Sequence, residues 1–337
     1  MTDLHITNGD GAANIIKESA ICGDVLPWRD PMHHGPFPAD LDLGALSKIR
    51  AHYLAGPGLD AAEVERDFRL RDEHLRAATQ YDRIVMWFEH DLLDQLQILQ
   101  LLDWFARHEV GATQLELICI DRFERIAPFR GIGQLNAGQM ETLYGQRHPI
   151  TAEQLELAQA GWSAFRSPSP TDLLAFMAGD LASLPFLHAA LARHLEEYPW
   201  SSDGLTRTER QILTLASNGL SDPVELFTKN MDYETALFIG DWRTYSCIAA
   251  LCAGEQALLR RDGVGRFWYP PHTRTETETF RKQRLWPTKV AEQILDGRRD
   301  AFDLIQRDHW LGGIHLQSDR SMWTWDAGSK SLKIRDC

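Results

Sequence analysis

The chain has 337 residues, 44% of them hydrophobic and 25% charged, and a formal net charge of −13. Its length favours two domains over one core, and its acidity argues against general nucleic-acid binding, leaving only a local basic face for that role. No apolar run approaches the roughly 20 residues of a membrane span, and the five cysteines, odd in number and without a CxxC pair, argue against a disulfide framework or a zinc ribbon.

The residues after Met1, TDLHITNGDG, have neither the charged start nor the apolar centre of a signal peptide, so a cytoplasmic location is expected. Leu4 to Thr7 is a short strand candidate. Asn8-Gly9-Asp10-Gly11 and a helical run from Ala12 to Ala20 follow, the strand, glycine loop and helix that open many nucleotide-binding α/β domains. Full GxGxxG spacing and GK[ST] are both absent. Asp10 suits a helix N-cap, and by its position it also suits a ribose, metal or proton-transfer role.

A second strand ends at Val25-Leu26, and the segment from Pro27 to Pro38 then holds four prolines and a glycine in twelve residues, which forbids regular structure. One reading is a stiff cover over the sheet edge. The other is a substrate loop in which Arg29 holds an anionic group and Asp30, His33 or His34 moves a proton. Leu43 to Ala55 and the charged run Asp60 to Gln80 read as helices.

Ile84 to Phe88 is a buried strand by composition, and Asp91 to Leu99 carries leucines at helical spacing. Glu89-His90-Asp91 therefore sits where a strand meets a helix, the place where open α/β sheets collect their binding groups. Asp91 and Asp94 also have the spacing of helix-capping acids. His90 has no capping role, which leaves it either as a satisfied polar partner or as a general acid or base.

Gln114 to Ile120 is a further strand, ending in Asp121-Arg122, and Pro128 to Gly133 is a loop with a glycine pair. Strands that alternate with helices predict a parallel sheet. With all four strands parallel, Asn8-Gly9-Asp10, Trp28-Arg29-Asp30, Glu89-His90-Asp91 and Asp121-Arg122 share one carboxyl edge.

From Thr151 the sequence turns helical, over Ala152 to Phe165, Asp172 to Met177 and Leu184 to Glu197. Thr206 and Glu209 match a capping box. A short helix at Pro223 to Phe227 and a third at Asp241 to Cys252 follow. Candidate strands at Ala257 to Arg260 and Arg266 to Tyr269, joined by Asp262 to Gly265, complete the outline of a winged helix. Residues 260 to 289 hold eight Lys/Arg against three acids, so Arg260, Arg261 and Arg266 are the candidate nucleic-acid contacts. Trp310 to Leu316 and Met322 to Asp326 read as a closing hairpin.

On LHITNGD (Leu4 to Asp10), WRDPMHHGP (Trp28 to Pro36), WFEHDLLDQL (Trp87 to Leu96), ICID (Ile118 to Asp121), GLTRTER (Gly204 to Arg210) and WLGGIHL (Trp310 to Leu316), the chain resembles a bacterial family known as domain of unknown function 1835. The resemblance spans nearly the whole chain and brings no established activity.

The expected architecture is α/β. A Rossmann-like, mostly parallel sheet domain spans residues 1–150, a helical bridge 151–203, and a winged-helix-like α+β module with a C-terminal hairpin 204–337. The expected function is hydrolysis or group transfer on a small phosphorylated or nucleotide-like ligand at the carboxyl edge of the sheet. His90, Asp91 and Asp30 are its candidate catalytic residues, and Asn8, Gly9, Asp10, Arg29, His33, His34, Asp121 and Arg122 its candidate binding residues. Magnesium or manganese would suit such carboxylates, although no ligand spacing demands either. The alternatives are a ligand-sensing DNA-binding regulator and a non-catalytic interaction scaffold.

Overall fold

A computed structural model describes residues 2–55, 59–262 and 274–336. It divides into two compact units, Met1–Leu191 with Trp310–Ile314, and Ala192–His309 with His315–Cys337. In chain order the first unit contains β1 (Asp3–Thr7), α1 (Asp10–Glu18), β2 (Asp24–Pro27), β3 (Gly35–Pro36), α2 (Leu43–Leu54), α3 (Ala61–Arg76), β4 (Arg83–Glu89), α4 (Leu92–Arg107), β5 (Gln114–Ile120), α5 (Ala137–Tyr144), β6 (His148–Pro149), α6 (Ala152–Arg166) and α7 (Pro170–Met177). Residues 151–191, read from sequence as part of a helical bridge, thus cluster with the sheet.

The five-stranded sheet has the order β2-β1-β4-β5-β6. β1 pairs in parallel with β2 and β4, β4 with β5, and only the two-residue β6 is antiparallel. Every residue of β1 is buried, as are Ile84 to Glu89 of β4. Strands covered on both faces call for continuous apolar runs, which IVMWF of β4 supplies, whereas β1 alternates and buries the polar His5 and Thr7 beside Leu4 and Ile6. The one face of β4 that carries Val85 and Trp87 packs on Ala12 and Ile16 of α1 and on Ile132, Met140 and Leu143. Trp87 Nε1 donates to His5 Nδ1 at 3.2 Å across β1 and β4. Burial holds the His5 pKa below its ordinary value, in keeping with a ring nitrogen that accepts.

The proline-rich segment after β2 is folded into the core, with Trp28, Met32 and Phe37 fully buried. Its anchor is Asp30, which receives Arg50 Nη2 at 2.6 Å and Nε at 3.0 Å. Both side chains are 1% exposed. Arg50 also donates to His34 O at 2.7 Å and lies over the Phe37 ring. Gln97 of α4 reaches Trp28 O and Asp30 O at 2.9 and 3.0 Å. Gly35, at φ +87°, lets this backbone pass Arg50, since a Cβ there would sit 2.3 Å from Nη1. Gly35 and Pro36 then pair in parallel with Leu311 and Gly312. The segment is thus a structural clamp, and Asp30, expected from its sequence context in proton transfer, is committed to an ion pair.

The second unit includes α8 (Arg207–Ser217), α9 (Pro223–Asn230), α10 (Asp241–Leu251), β7 (Leu259–Arg261), β8 (Leu285–Pro287), β9 (Met322–Asp326) and β10 (Ser331–Arg335). Its core joins Ile212, Leu226, Ile248, Leu259 and Leu285. The capping box of Thr206 and Glu209 forms as the sequence predicts. β7 pairs antiparallel with β8, whereas the expected strand Arg266 to Tyr269 and its turn from Gly263 lie outside the described residues. Met322–Asp326 pairs with Ser331–Arg335, so the expected hairpin partner, Trp310 to Leu316, is replaced by the next segment of chain. Among the described residues no helix is long and apolar enough to cross a membrane.

Deleting one partner of a buried ion pair strands the other charge. Asp30→Ala is therefore expected to cost about 3–5 kcal/mol in urea unfolding. Asp10→Ala, which breaks an exposed pair with Arg29, should cost under about 1 kcal/mol. Equal losses at the two positions would refute the clamp.

Candidate functional site

β1 leads through α1 to β2 on one side of the sheet, and β4 leads through α4 to β5 on the other. Their outgoing connections diverge, so the carboxyl ends of β1 and β4 flank the switch point of the sheet, the place where open α/β sheets put their ligand crevice. Asn8 leaves the end of β1 there. Glu89 ends β4, Asp91 is the N-cap of α4, and Asp94 lies in its first turn.

One carboxylate oxygen from each of Glu89, Asp91 and Asp94 lies within 4.8 Å of the others. Asn8 Nδ2 donates to Glu89 Oε1 at 3.2 Å and to Asp94 Oδ1 and Oδ2 at 3.1 and 3.2 Å. The backbone N–H of Glu89 donates to Asp94 Oδ2 at 2.6 Å, and that of Asp94 to Asp91 Oδ1 at 3.1 Å. From the other side the loop after β5 delivers the Ile132 N–H to Glu89 Oε1 at 2.5 Å. This approach requires Gly131, whose φ is +140° and where a Cβ would fall 2.4 Å from Glu89 Oε2.

All three carboxylates are at most 4% exposed. Burial, then the Asp91 charge, pushes the Glu89 pKa up to about 8. Burial raises Asp91 to about 7, and burial with the two neighbouring acids drives Asp94 far up. Three acids so close in low dielectric must share protons or take a cation. All the donors are oxygens, which suits a hard divalent cation such as magnesium or manganese. Cys119 lies nearby, donating to Glu89 O at 3.3 Å, and burial raises its pKa so that it stays a thiol.

The remaining sequence candidates fall in several places. Gly9 is the N-cap of α1 and brings no side-chain acceptor, and a Cβ added there would meet nothing within 4 Å. Asp10, expected to cap α1, is instead its first helical residue. It holds Arg29 in a bidentate pair, at 2.8 and 2.7 Å, with both side chains more than half exposed. Arg29, expected to hold an anion, is thus already engaged. His33 and His34 are buried with rings 4.8 Å apart, and His34 Nδ1 lies 3.2 Å from the Tyr53 hydroxyl, behind the clamp. Asp121 and Arg122, at the end of β5, approach each other at 3.6 Å on the surface.

His90 packs on Phe186 and Phe129, at ring distances of 6.0 and 6.4 Å. Its Nδ1 is buried without a hydrogen-bond partner among the described residues. In the second unit, Arg260 lies over the Trp286 ring and Arg261 Nη1 donates to Gln283 Oε1 at 2.9 Å. Arg266 lies outside the described residues.

The sequence points to Asn8 and Asp91, whereas Glu89 and Asp94 read there as a neighbour and a cap with no ligand role. The available signal was the spacing, since Glu89, Asp91 and Asp94 span a strand end and one helical turn. Gly131 and Ile132 carried none, because their place is set by a loop whose path is not periodic. No protein-family model matches the chain, and no curated protein matches it.

The raised carboxylate pKa values fix the sign of a pH effect. Between about pH 4.5 and 8 the unfolded chain gives up protons that the folded cluster retains, so without a divalent cation stability should fall as pH rises through this window. Glu89→Gln should flatten the fall, as read from thermal melts between pH 5 and 8. An unchanged slope would contradict the assignment. Gly131→Ala should lower stability by about 1–3 kcal/mol through its positive φ and its clash with Glu89.

Proposed function

We propose that the crevice outside β1 and β4 binds a divalent cation together with a small phosphorylated or nucleotide-like molecule, and that the protein hydrolyses that molecule or transfers a group from it. The observation that carries this reading is the convergence of Glu89, Asp91 and Asp94 within 4.8 Å at the point where the strand connections diverge. These residues would hold the cation. Such an ion, when bound, polarises a phosphoryl oxygen and neutralises its charge.

Each neighbouring group has a task in this reading. Asn8 keeps Glu89 and Asp94 apart and oriented through its amide. The first-turn N–H groups of α1, uncapped by any side chain, receive anionic oxygens in the open space beside Gly9. His90 follows Glu89 directly and is the group suited to take or give a proton. Two of the segments on which the resemblance to domain of unknown function 1835 rests, Leu4 to Asp10 and Trp87 to Leu96, contain Asn8, Glu89, Asp91 and Asp94, which supports reading them as one site. We read the sheet unit as Rossmann-like, and residues 204–337 as a winged-helix-like module.

Manganese titration of the full chain, followed by calorimetry, tests the reading. A saturable site is expected, weakened at least tenfold by Asp94→Asn. With manganese present, a nucleotide or sugar phosphate at about 100 times its Kd should add roughly 2.7 kcal/mol of stability. His90→Ala should leave that binding in place while abolishing turnover. If neither manganese nor any phosphorylated compound binds, the reading fails and the DNA-binding regulator or scaffold takes its place.

A further inference from the structure

The crevice lies at one end of α4. Towards the other end, about 18 Å along the helix from Leu92 to Trp104, the sheet unit contains a separate cavity of about 510 Å³. Its walls include Asp40, Arg76, Gln100, Trp104, Trp162 and Arg166. That volume is in the range of small-molecule sites.

The telling residue is Gln100. It is 4% exposed, and its Oε1 accepts from Trp28 Nε1 at 2.8 Å. Its Nε2 finds no acceptor among the described residues and opens on the cavity, where a bound acceptor would meet it. Arg166 repeats the pattern. Its Nε and Nη2 donate to Pro38 O and Leu41 O, while Nη1 has no partner among the described residues. Arg76 has no ionic or hydrogen-bond partner among them.

The acids of the wall are mostly committed. Asp103 receives Arg107 at 2.8 Å, and Asp42 caps α2. Asp40 interacts with Arg166 through its charge, and the wall as a whole balances three acids with three arginines, so the excess is in hydrogen-bond donors, at Gln100, Arg166 and Arg76. Arg76, Arg107 and Arg166 each end a helix, where the dipole favours a cation whether or not a ligand binds. The arginines alone would therefore carry little. Gln100, in mid-helix, has no such explanation.

We propose that this cavity is a second ligand site. It takes a small organic anion whose planar apolar body packs on Trp104 and Trp162 and whose carboxylate or phosphate accepts from Gln100 Nε2, Arg166 Nη1 and Arg76. The site is independent of the cation reading of the crevice.

Calorimetric titration of the full chain with benzoate, phenyl phosphate and neutral benzamide, in buffer with chelator, tests it. Saturable binding of benzoate or phenyl phosphate is expected, the tighter of the two identifying the preferred headgroup, with benzamide at least tenfold weaker. Gln100→Glu keeps the acceptor for Trp28 and replaces the donor with a carboxylate, so it should weaken anion binding tenfold or more. Arg76→Gln should weaken it several-fold at an unchanged unfolding midpoint, and this variant decides the matter if Gln100→Glu does not fold. Asp94→Asn should bind the anion as the parent does. Absence of saturable binding, equal binding of benzamide, indifference to Arg76→Gln or loss on Asp94→Asn would overturn the proposal.

Discussion

Three carboxylates within 4.8 Å of one another, each almost wholly removed from water, constrain everything around them. Their mutual repulsion grows as the local dielectric falls, and the fold meets it with directed donors: the Asn8 amide, the Ile132 N–H and the N–H groups of Glu89 and Asp94 itself. Those donors come from the end of β1, the loop after β5, the end of β4 and the first turn of α4. The adjacency of β1 and β4, the glycine at 131 and the start of α4 all serve one arrangement.

The clamp beyond β2 solves a different problem with similar means. A segment rich in proline makes few backbone hydrogen bonds of its own, so its polar atoms must be met by side chains. Arg50 satisfies Asp30 and a carbonyl, and Gln97 satisfies two more carbonyls. Arg71 lies over Trp28 and pairs with Asp72. A buried pair of this kind contributes less to net stability than it would cost to break, and it holds the segment in one path.

α4 links these features. Asp91 and Asp94 stand at its start, Gln97 meets the clamp a turn later, and Gln100, Trp104 and Arg107 face the cavity near its end. Its many buried polar residues are unusual for a helix against a sheet. Asp94, Gln95, Gln97 and Gln100 all carry hydrogen bonds to other elements, so the helix organises polar contacts as well as apolar packing.

The sequence by itself determined the strand and helix alternation, the parallel sheet it implies, the capping box at Thr206 and Glu209, and the gathering of Asn8 and Asp91 at one sheet edge. Those properties follow from periodicity and capping chemistry, which act over a few residues. Only the tertiary structure decided that β1 lies beside β4, that Asp30 belongs to Arg50 and Asp10 to Arg29, and that Gly131-Ile132 closes over Glu89. Each of those depends on groups 19 to 43 residues or more apart in the chain. Charge and shape select such partners only once the backbone has folded, so no local pattern in the sequence announces them.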